Sequence, residues 1–196
     1  WSKNTYLNSS FCLNNKLVGI VGGGNIGRQV AARVQAFGAQ VQYYDAYRLP
    51  AGVEEGCRMT YVPLERLIET SDIISLHVPL LDSTRHMLGE EELKRMKDGA
   101  IIINTARGGL VDDDALVRAV HAGRLAGAGL DGVEREPLPA GDPLLTEPNI
   151  IVTPHIGGGT ADIGDVIMPM LVQDIQDFAA GREPAHVVNR EFLAAV

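Results

Sequence analysis

Gly22, Gly24 and Gly27 follow the apolar run Leu17–Val21 in the spacing G-x-G-x-x-G and lead into a stretch of helical periodicity. That setting suits a pyrophosphate. The first glycine permits a tight turn, the second lets a phosphate approach backbone N–H groups, and the third lets the helix pack closely on the strand. Outside this setting the motif would decide little, because the same glycines could serve a turn that only packs. Asp45 closes the next apolar run, VQYYD. A carboxylate there can accept hydrogen bonds from an adenosine ribose and repels a 2'-phosphate, which favours NAD over NADP. Arg48, in the turn that follows, softens that preference unless it is a solvated surface arginine.

Further polar side chains stand where apolar runs end: His77 after IISL, Arg107 after AIIINTA, Asp131 after LAGAGL and His155 after IIVTP. Ligands on open parallel sheets bind beyond the carboxyl ends of the strands. One such residue could serve packing alone. Several of them beside a dinucleotide loop point to hydride transfer. The remaining histidines, His86, His121 and His186, show no compact ligand spacing, so no metal is expected. Neither a G-x-S-x-G elbow nor a local Cys–His motif supports covalent catalysis.

The elements that must position these groups alternate along the chain. Ile26, Val30, Val34 and Phe37 recur at helical spacing and predict a helix with one face on the sheet, ended by Gly38. A short helix is expected over 64–69, a strand from Asp72, a helix near 90–96 and a strand from Ala100. Asp112, Asp113 and Asp114 place negative charge at a helix start, where free N–H groups favour it. Strands follow from Leu125 and from Asn149. Short apolar runs separated by helices predict an α/β fold, a doubly wound and mostly parallel sheet covered on both faces. The last helix is expected from about Thr160 to Ala180 with Pro169 inside it. A proline there costs about 3 kcal/mol in a continuous helix, which predicts a kink or two helical pieces.

Five segments in order carry a family resemblance: the glycine fingerprint, HVPL at His77–Leu80, NTARGGLVD at Asn104–Asp112, D-x-x-E-x-E-P at Asp131–Pro137, and TPHIGG at Thr153–Gly158. With PAHVVN at Pro184–Asn189, the chain resembles the NAD-binding domain of the D-isomer-specific 2-hydroxyacid dehydrogenases over nearly its whole length. Phosphoglycerate dehydrogenase, glyoxylate or hydroxypyruvate reductase and D-lactate dehydrogenase are examples. The resemblance implies a Rossmann-type fold and NAD as cofactor. It implies that Arg107 grips a substrate carboxylate, that His155 donates and accepts the proton, and that Glu136 is its carboxylate partner. Asn25 and Ile26 fall where the pyrophosphate is held. Thr84 and Asp131 fall at cofactor-contact positions, and His77, Val78, Pro79, Thr105, Ala106, Gly157 and Gly158 belong to the dinucleotide site. Asn25 departs from the family's frequent basic residue and loses a charge contact, although the helix N-terminus stays available. Gly132 and Val133 stand where a larger aliphatic and an aromatic are usual, and are expected to loosen the support of Glu136.

The expected organisation is a connecting segment over 1–16, the Rossmann domain over 17–159, and a helix with a return toward a substrate domain over 160–196. The resemblance implies roughly a hundred further residues, the size of a small domain, before Trp1. On that expectation the 196 residues bind NADH but turn over a 2-keto acid poorly alone. A homodimer is expected by the same resemblance. With 45% hydrophobic residues the chain can bury a sizeable core, and 25 acidic against 17 basic residues oppose nucleic-acid binding. No apolar run is long enough to span a membrane. Cys12 and Cys57 have no redox or metal spacing, so free thiols in the cytoplasm are expected. The competing functions are an NAD(H)-binding corepressor or sensor and, on the same fold, a hydrolase of an adenosyl thioether. Retention of Arg107, Glu136 and His155 favours the dehydrogenase.

Overall fold

The structure is a computed structural model that describes residues 10–188 and 190. The first part of the expected connecting segment, and Asn189 of the PAHVVN segment, lie outside the described residues.

Among the described residues, seven strands form one sheet: β1 (Leu17–Val21), β2 (Gln40–Tyr44), β3 (Thr60–Tyr61), β4 (Ile73–Leu76), β5 (Ala100–Asn104), β6 (Leu125–Leu130) and β7 (Ile150–Val152). Their order is β3-β2-β1-β4-β5-β6-β7, and every neighbouring pair is parallel. The winding therefore reverses between β1 and β4, the place where open α/β sheets leave a crevice. Register carries the ends of the strands into line. Tyr44, Val21, Leu76, Asn104, Leu130 and Val152 pair successively across six strands. The residues just beyond this row are Asp45, Gly22, His77, Thr105, Asp131 and Thr153.

The strands read as nearly continuous apolar runs because both faces are buried. Val18 and Ile20 join Ala31, Val41 and Tyr43 in one cluster, while Val21, Ile74 and Leu76 join Leu67, Ile102 and Leu116 in the other. Buried polar groups are paired: Gln42 Nε2 donates to Thr70 Oγ1 at 2.8 Å and Ser71 Oγ at 3.0 Å. Among the described residues, no buried side-chain nitrogen or oxygen lacks a partner.

Among the described residues, seven helices connect the strands and follow them: α1 (Asn25–Ala36), α2 (Ala51–Cys57), α3 (Leu64–Thr70), α4 (Glu90–Arg95), α5 (Asp113–His121), α6 (Pro143–Thr146) and α7 (Ile163–Ala179). Asp112 caps α5 by accepting from Ala115 N at 2.9 Å, as the acidic run suggested. In α1 the expected apolar face is corrected. Gly27 and Ala31 are buried and Val30 and Val34 pack beside them, but Ile26 and Phe37 are 66% and 70% exposed. The small residues bring the helix axis close to the sheet, and the larger ones at its two ends fall off the contact. Three elements were not anticipated, among them the two-residue strand β3. Gly52 and Gly56 lower the helix propensity of α2, and α6 is a single short turn.

The chain divides into two compact units, residues up to His155 and residues from Ile156. In the second unit α7 runs through Pro169 as one helix, so the expected division into two pieces does not occur. Pro169 lacks a backbone donor and crowds the preceding turn, yet helical turns continue on both sides of it. Past the helix, His186 Nδ1 lies 2.9 Å from Asp174 Oδ2, and Arg182 Nη2 donates to Asp177 Oδ1 at 2.6 Å.

The start of α1 closely approaches the turn after β1, where a Cβ on Gly27 would stand 2.0 Å from the Gly22 carbonyl oxygen. Gly27→Ala is therefore expected to cost about 3 kcal/mol by overpacking. Urea unfolding checks this, and an unchanged midpoint would contradict the packing described.

Candidate functional site

Gly22 has φ +103°, a conformation that L side chains rarely adopt, and a Cβ there would meet the His77 carbonyl at 2.6 Å. The loop thus turns sharply against the end of β4. Gly24, at the N-cap of α1, has nothing within 4 Å of where a Cβ would lie, so its backbone is open to approach. The first turn of α1 holds no acidic side chain. Exposed N–H groups and the helix dipole together suit an anion such as a pyrophosphate. Asn25 does not leave the loop without a cation. Arg28, one turn on, donates from Nη2 to Asn25 Oδ1 at 2.5 Å and from Nε to the Gly24 carbonyl at 3.3 Å.

Asp45 is half-buried beside this loop. Its Oδ2 accepts from Gly23 N at 2.8 Å and its Oδ1 from Tyr47 N at 3.0 Å. Each carboxylate oxygen keeps acceptor capacity, so a diol can still bind.

Across the sheet's reversal point, Ile26, His77, Val78, Pro79, Leu80, Thr105, Ala106 and Arg107 line one cleft of about 360 Å³. The cleft thus gathers most of the residues that the resemblance assigned to the dinucleotide. His77 Nε2 lies 2.9 Å from Ser75 Oγ, and burial holds the imidazole below its usual pKa. Thr84 is outside the cleft lining. Its hydroxyl accepts from Leu81 N and donates to the Pro79 carbonyl, both at 2.8 Å, and so shapes the loop that carries Val78 and Pro79. Asp131 is buried and its Oδ1 accepts from Thr153 Oγ1 at 2.5 Å. Gly157 and Gly158 belong to the second unit.

Arg107 is exposed at the cleft and its Nη1 donates to the Ala106 carbonyl at 2.6 Å. The loop that presents it is fixed by Asn104, a residue whose part was not foreseen. Asn104 is 1% exposed. Its Nδ2 donates to the Arg107 carbonyl at 2.8 Å and its Oδ1 accepts from Ala106 N at 3.1 Å. A buried asparagine must satisfy its amide, and here it does so by closing the Thr105–Arg107 turn. An Asn closing an apolar strand was the available signal.

His155 and Glu136 line a second hollow of about 640 Å³, together with Val133, Pro137, Leu138, Leu145, Val152, Thr153 and Pro154. His155 Nδ1 lies 2.8 Å from Glu136 Oε2, and Glu136 Oε1 accepts from Val133 N at 3.1 Å. The hydrogen bond from His155, then that from Val133, holds the Glu136 carboxyl below the usual carboxylate range. Both side chains remain reachable, at 44% and 41% exposure. His155 itself has φ +53°, uncommon for a non-glycine residue, and its N–H donates to the Thr153 carbonyl at 2.9 Å.

Gly132 and Val133, the smaller residues of this segment, stand where the loops carrying Arg107 and Glu136 meet. Val133 is buried, and a Cβ on Gly108 would stand 1.8 Å from the Val133 carbonyl oxygen. A Cβ on Gly132 would stand 2.9 Å from Gly108 N, so the Arg107 and Glu136 loops touch backbone to backbone. The Glu136 loop is tied down twice more. Glu134 N donates to Asp113 Oδ2 at 2.8 Å, and Glu134 pairs with His86. Burial lifts Asp113 to a pKa of about 6. His121 similarly pairs with Glu147 at 3.1 Å. Among the described residues no cluster of three or more His, Cys, Asp or Glu could hold a metal ion, and no helix is long and apolar enough to cross a membrane.

A parallel sheet with this winding, a glycine turn at its reversal point and a carboxylate closing the second strand defines a dinucleotide-binding α/β domain. Residues 1–157 match the family described as D-isomer specific 2-hydroxyacid dehydrogenase, NAD binding domain, and the chain belongs to that family. It is 44% identical over 178 residues to a glyoxylate reductase of Korarchaeum cryptofilum, covering 91% of this chain and 53% of that protein. It is 47% identical over 153 residues to a hydroxypyruvate reductase of Thermotoga maritima, covering 76% and 48%. The structure of D-lactate dehydrogenase with NAD+ from Lactobacillus jensenii superposes with a TM-score of 0.86 at 35% identity, covering 96% of this chain and 58% of that one. The chain thus spans about half the length of these relatives. NAD is the cofactor of the family's domain.

Glu136 accepts at Nδ1 of His155, so the neutral ring is expected to be held as the Nδ1–H tautomer. Long-range ¹H–¹⁵N spectra, with the His155 signals identified by their loss in His155→Gln, should show that form. Glu136→Ala should pass most of the population to Nε2–H, and an unchanged tautomer would refute the pairing.

Proposed function

We propose that this chain serves hydride transfer between NAD(H) and a small 2-keto or D-2-hydroxy acid, with glyoxylate and hydroxypyruvate as the first substrates to test. The observation that carries the reading is the His155–Glu136 pair, at 2.8 Å through Nδ1, on the same sheet edge as the glycine loop. That bond leaves Nε2 as the nitrogen presented to a ligand. The relatives named as glyoxylate and hydroxypyruvate reductases add support.

The residues fit the cofactor. Open backbone at Gly24 and the N–H groups of α1 receive the pyrophosphate, with Asn25 and Ile26 beside it and Arg28 adding charge. Asp45 accepts from the adenosine ribose, and Val78, Pro79, Thr105 and Ala106 wall the cleft. When bound, NADH supplies a hydride. His155, as imidazolium, gives its Nε2 proton to the developing alkoxide of the keto acid, and takes it back in the reverse direction. Glu136 stabilises the protonated ring and fixes its orientation. Arg107 swings from the Ala106 carbonyl to hold the substrate carboxylate through two parallel hydrogen bonds. Asp131 and Thr84 act by shaping the walls, through Thr153 and Pro79 respectively.

The exposure of His155 and Glu136 has a kinetic consequence. Water exclusion must come from a further wall, so the 196 residues alone should bind NADH saturably and reduce keto acids slowly. We also assign the protein to a homodimer, the most frequent closed assembly, and on its free thiols to the reducing cytoplasm. Light scattering over a concentration series tests the assembly, and a monomer throughout would reject it.

In protein that turns over glyoxylate or hydroxypyruvate with NADH, His155→Ala should lower kcat about 10²-fold or more and leave NADH affinity nearly unchanged. Arg107→Ala should raise the KM for the keto acid by about tenfold or more, since it removes charged hydrogen bonds to the carboxylate. Steady-state kinetics and NADH titration check both. Near-normal kinetics in the two variants would overturn these roles.

A further inference from the structure

The turn after β2 contains one basic residue, Arg48, close in sequence to the carboxylate that receives the adenosine ribose. An arginine so placed is the usual means of accommodating a 2'-phosphate. Here it is engaged elsewhere. Arg48 Nε donates to Glu54 Oε1 at 2.8 Å and Nη2 to Glu54 Oε2 at 3.0 Å, the bidentate geometry that makes arginine–carboxylate pairs strong and directional. The guanidinium carbon also lies 5.0 Å from the centre of the Tyr61 ring, on β3.

Glu54 is held as firmly as its partner. Its side chain is only 13% exposed, against 62% for Arg48. The Tyr43 hydroxyl donates to Glu54 Oε1 at 2.5 Å and accepts from Leu49 N at 3.0 Å. Tyr43 is fully buried on β2, and burial together with the Glu54 bond pushes its pKa up to about 12, so the hydroxyl remains a donor. The Arg48 and Tyr43 bonds hold Glu54 down at a pKa of about 2, ionised throughout the working range. The same Tyr43 ring, with Leu49, lies 3.1 Å from where a Cβ on Gly23 would be, and Gly23 N donates to Asp45. The cluster is therefore built onto the glycine loop rather than standing apart from it.

We propose that Glu54, anchored by Tyr43, is a cofactor-specificity residue: it sequesters Arg48 and so withholds from a 2'-phosphate the one cation of this turn. Discrimination against NADPH then has two parts, repulsion by Asp45 and the neutralisation of Arg48. The inference rests on the reading that the adenosine ribose lies at Asp45.

The test measures dissociation constants of NADH and NADPH for the full chain by fluorescence or calorimetry, so no turnover is needed. The proteins are the wild type, Glu54→Gln, Arg48→Gln and the double variant, with melting temperatures recorded for each. Glutamine keeps an acceptor for Tyr43 but releases the charge on Arg48. Glu54→Gln should tighten NADPH about tenfold, the worth of one charge-assisted hydrogen bond, and leave NADH within about twofold. Arg48→Gln alone should leave NADPH within about twofold, and in the double variant the tenfold gain should disappear. Should Glu54→Gln fold poorly, Glu54→Asp, which withdraws the carboxylate by one methylene, should move NADPH affinity the same way by a smaller factor.

If NADH binds normally but neither Glu54 variant improves NADPH, the sequestration is refuted. If Arg48→Gln weakens NADPH in the wild-type background as much as in the Glu54→Gln background, Arg48 is already in use and the proposal fails. A wild-type chain that binds neither nucleotide overturns instead the dinucleotide reading on which it rests.

Discussion

In a parallel sheet whose winding reverses, all strands point their carboxyl ends to one edge, and whatever is built there must share a narrow strip. Register makes the strip a line here: Tyr44, Val21, Leu76, Asn104, Leu130 and Val152 stand abreast. The chain leaves that line by turns that must pass one another at backbone distance. Gly22 lies against the His77 carbonyl, Gly27 against Gly22, and Gly108 against Val133. The dispersion and hydrogen-bond energy of the core fixes the line, and the absence of side chains at these crossings lets the loops meet above it. Each candidate group of the first unit takes its position from that arrangement.

Polar satisfaction does the finer positioning. The Thr105–Arg107 turn is closed by the buried amide of Asn104, whose backbone carbonyl also accepts from Asp131 N at 2.8 Å. One residue thus connects the β5 and β6 exits. The Glu136 loop is held by Val133 N, by Asp113 and by His86, so Glu136 meets His155 from a supported position although both side chains face solvent. An exposed ion pair is worth little to stability. What the contact does fix is the ring's placement, since Nδ1 is occupied by Glu136.

The alternation of strands and helices, the glycine turn and the end-of-strand residues were readable in the sequence because burial on both faces writes each strand as an apolar run and because glycine marks positions that tolerate nothing else. Thr84 and Asp131 were expected at the cofactor by resemblance, and the structure adds bonds from Thr84 to Pro79 and from Thr153 to Asp131, contacts that no local pattern encodes. Ile26 and Phe37 share the period of a buried face and still lie outside it, since Gly27 and Ala31 set how near the helix comes. Arg48 shows the same limit for charge. Its pairing depends on α2, a helix that Gly52 and Gly56 concealed, and on Tyr43, which reads as plain core.

Arg107 and the His155–Glu136 pair line different hollows, and between them runs the contact of Gly108 with Gly132 and Val133. On the function proposed, a small keto acid gripped by Arg107 through its carboxylate must present its carbonyl oxygen to His155, so it has to lie across that contact. A Cβ on Gly108 would stand 1.8 Å from the Val133 carbonyl oxygen and one on Gly132 2.9 Å from Gly108 N, so either side chain would press the loops apart. Gly132, which departs from the family's usual aliphatic, keeps the two backbones at touching distance, and Val133 fills the space beneath with a buried side chain. The bare backbones of Gly108 and Gly132 therefore let the two loops meet, and a ligand reaching from Arg107 to His155 would cross that contact.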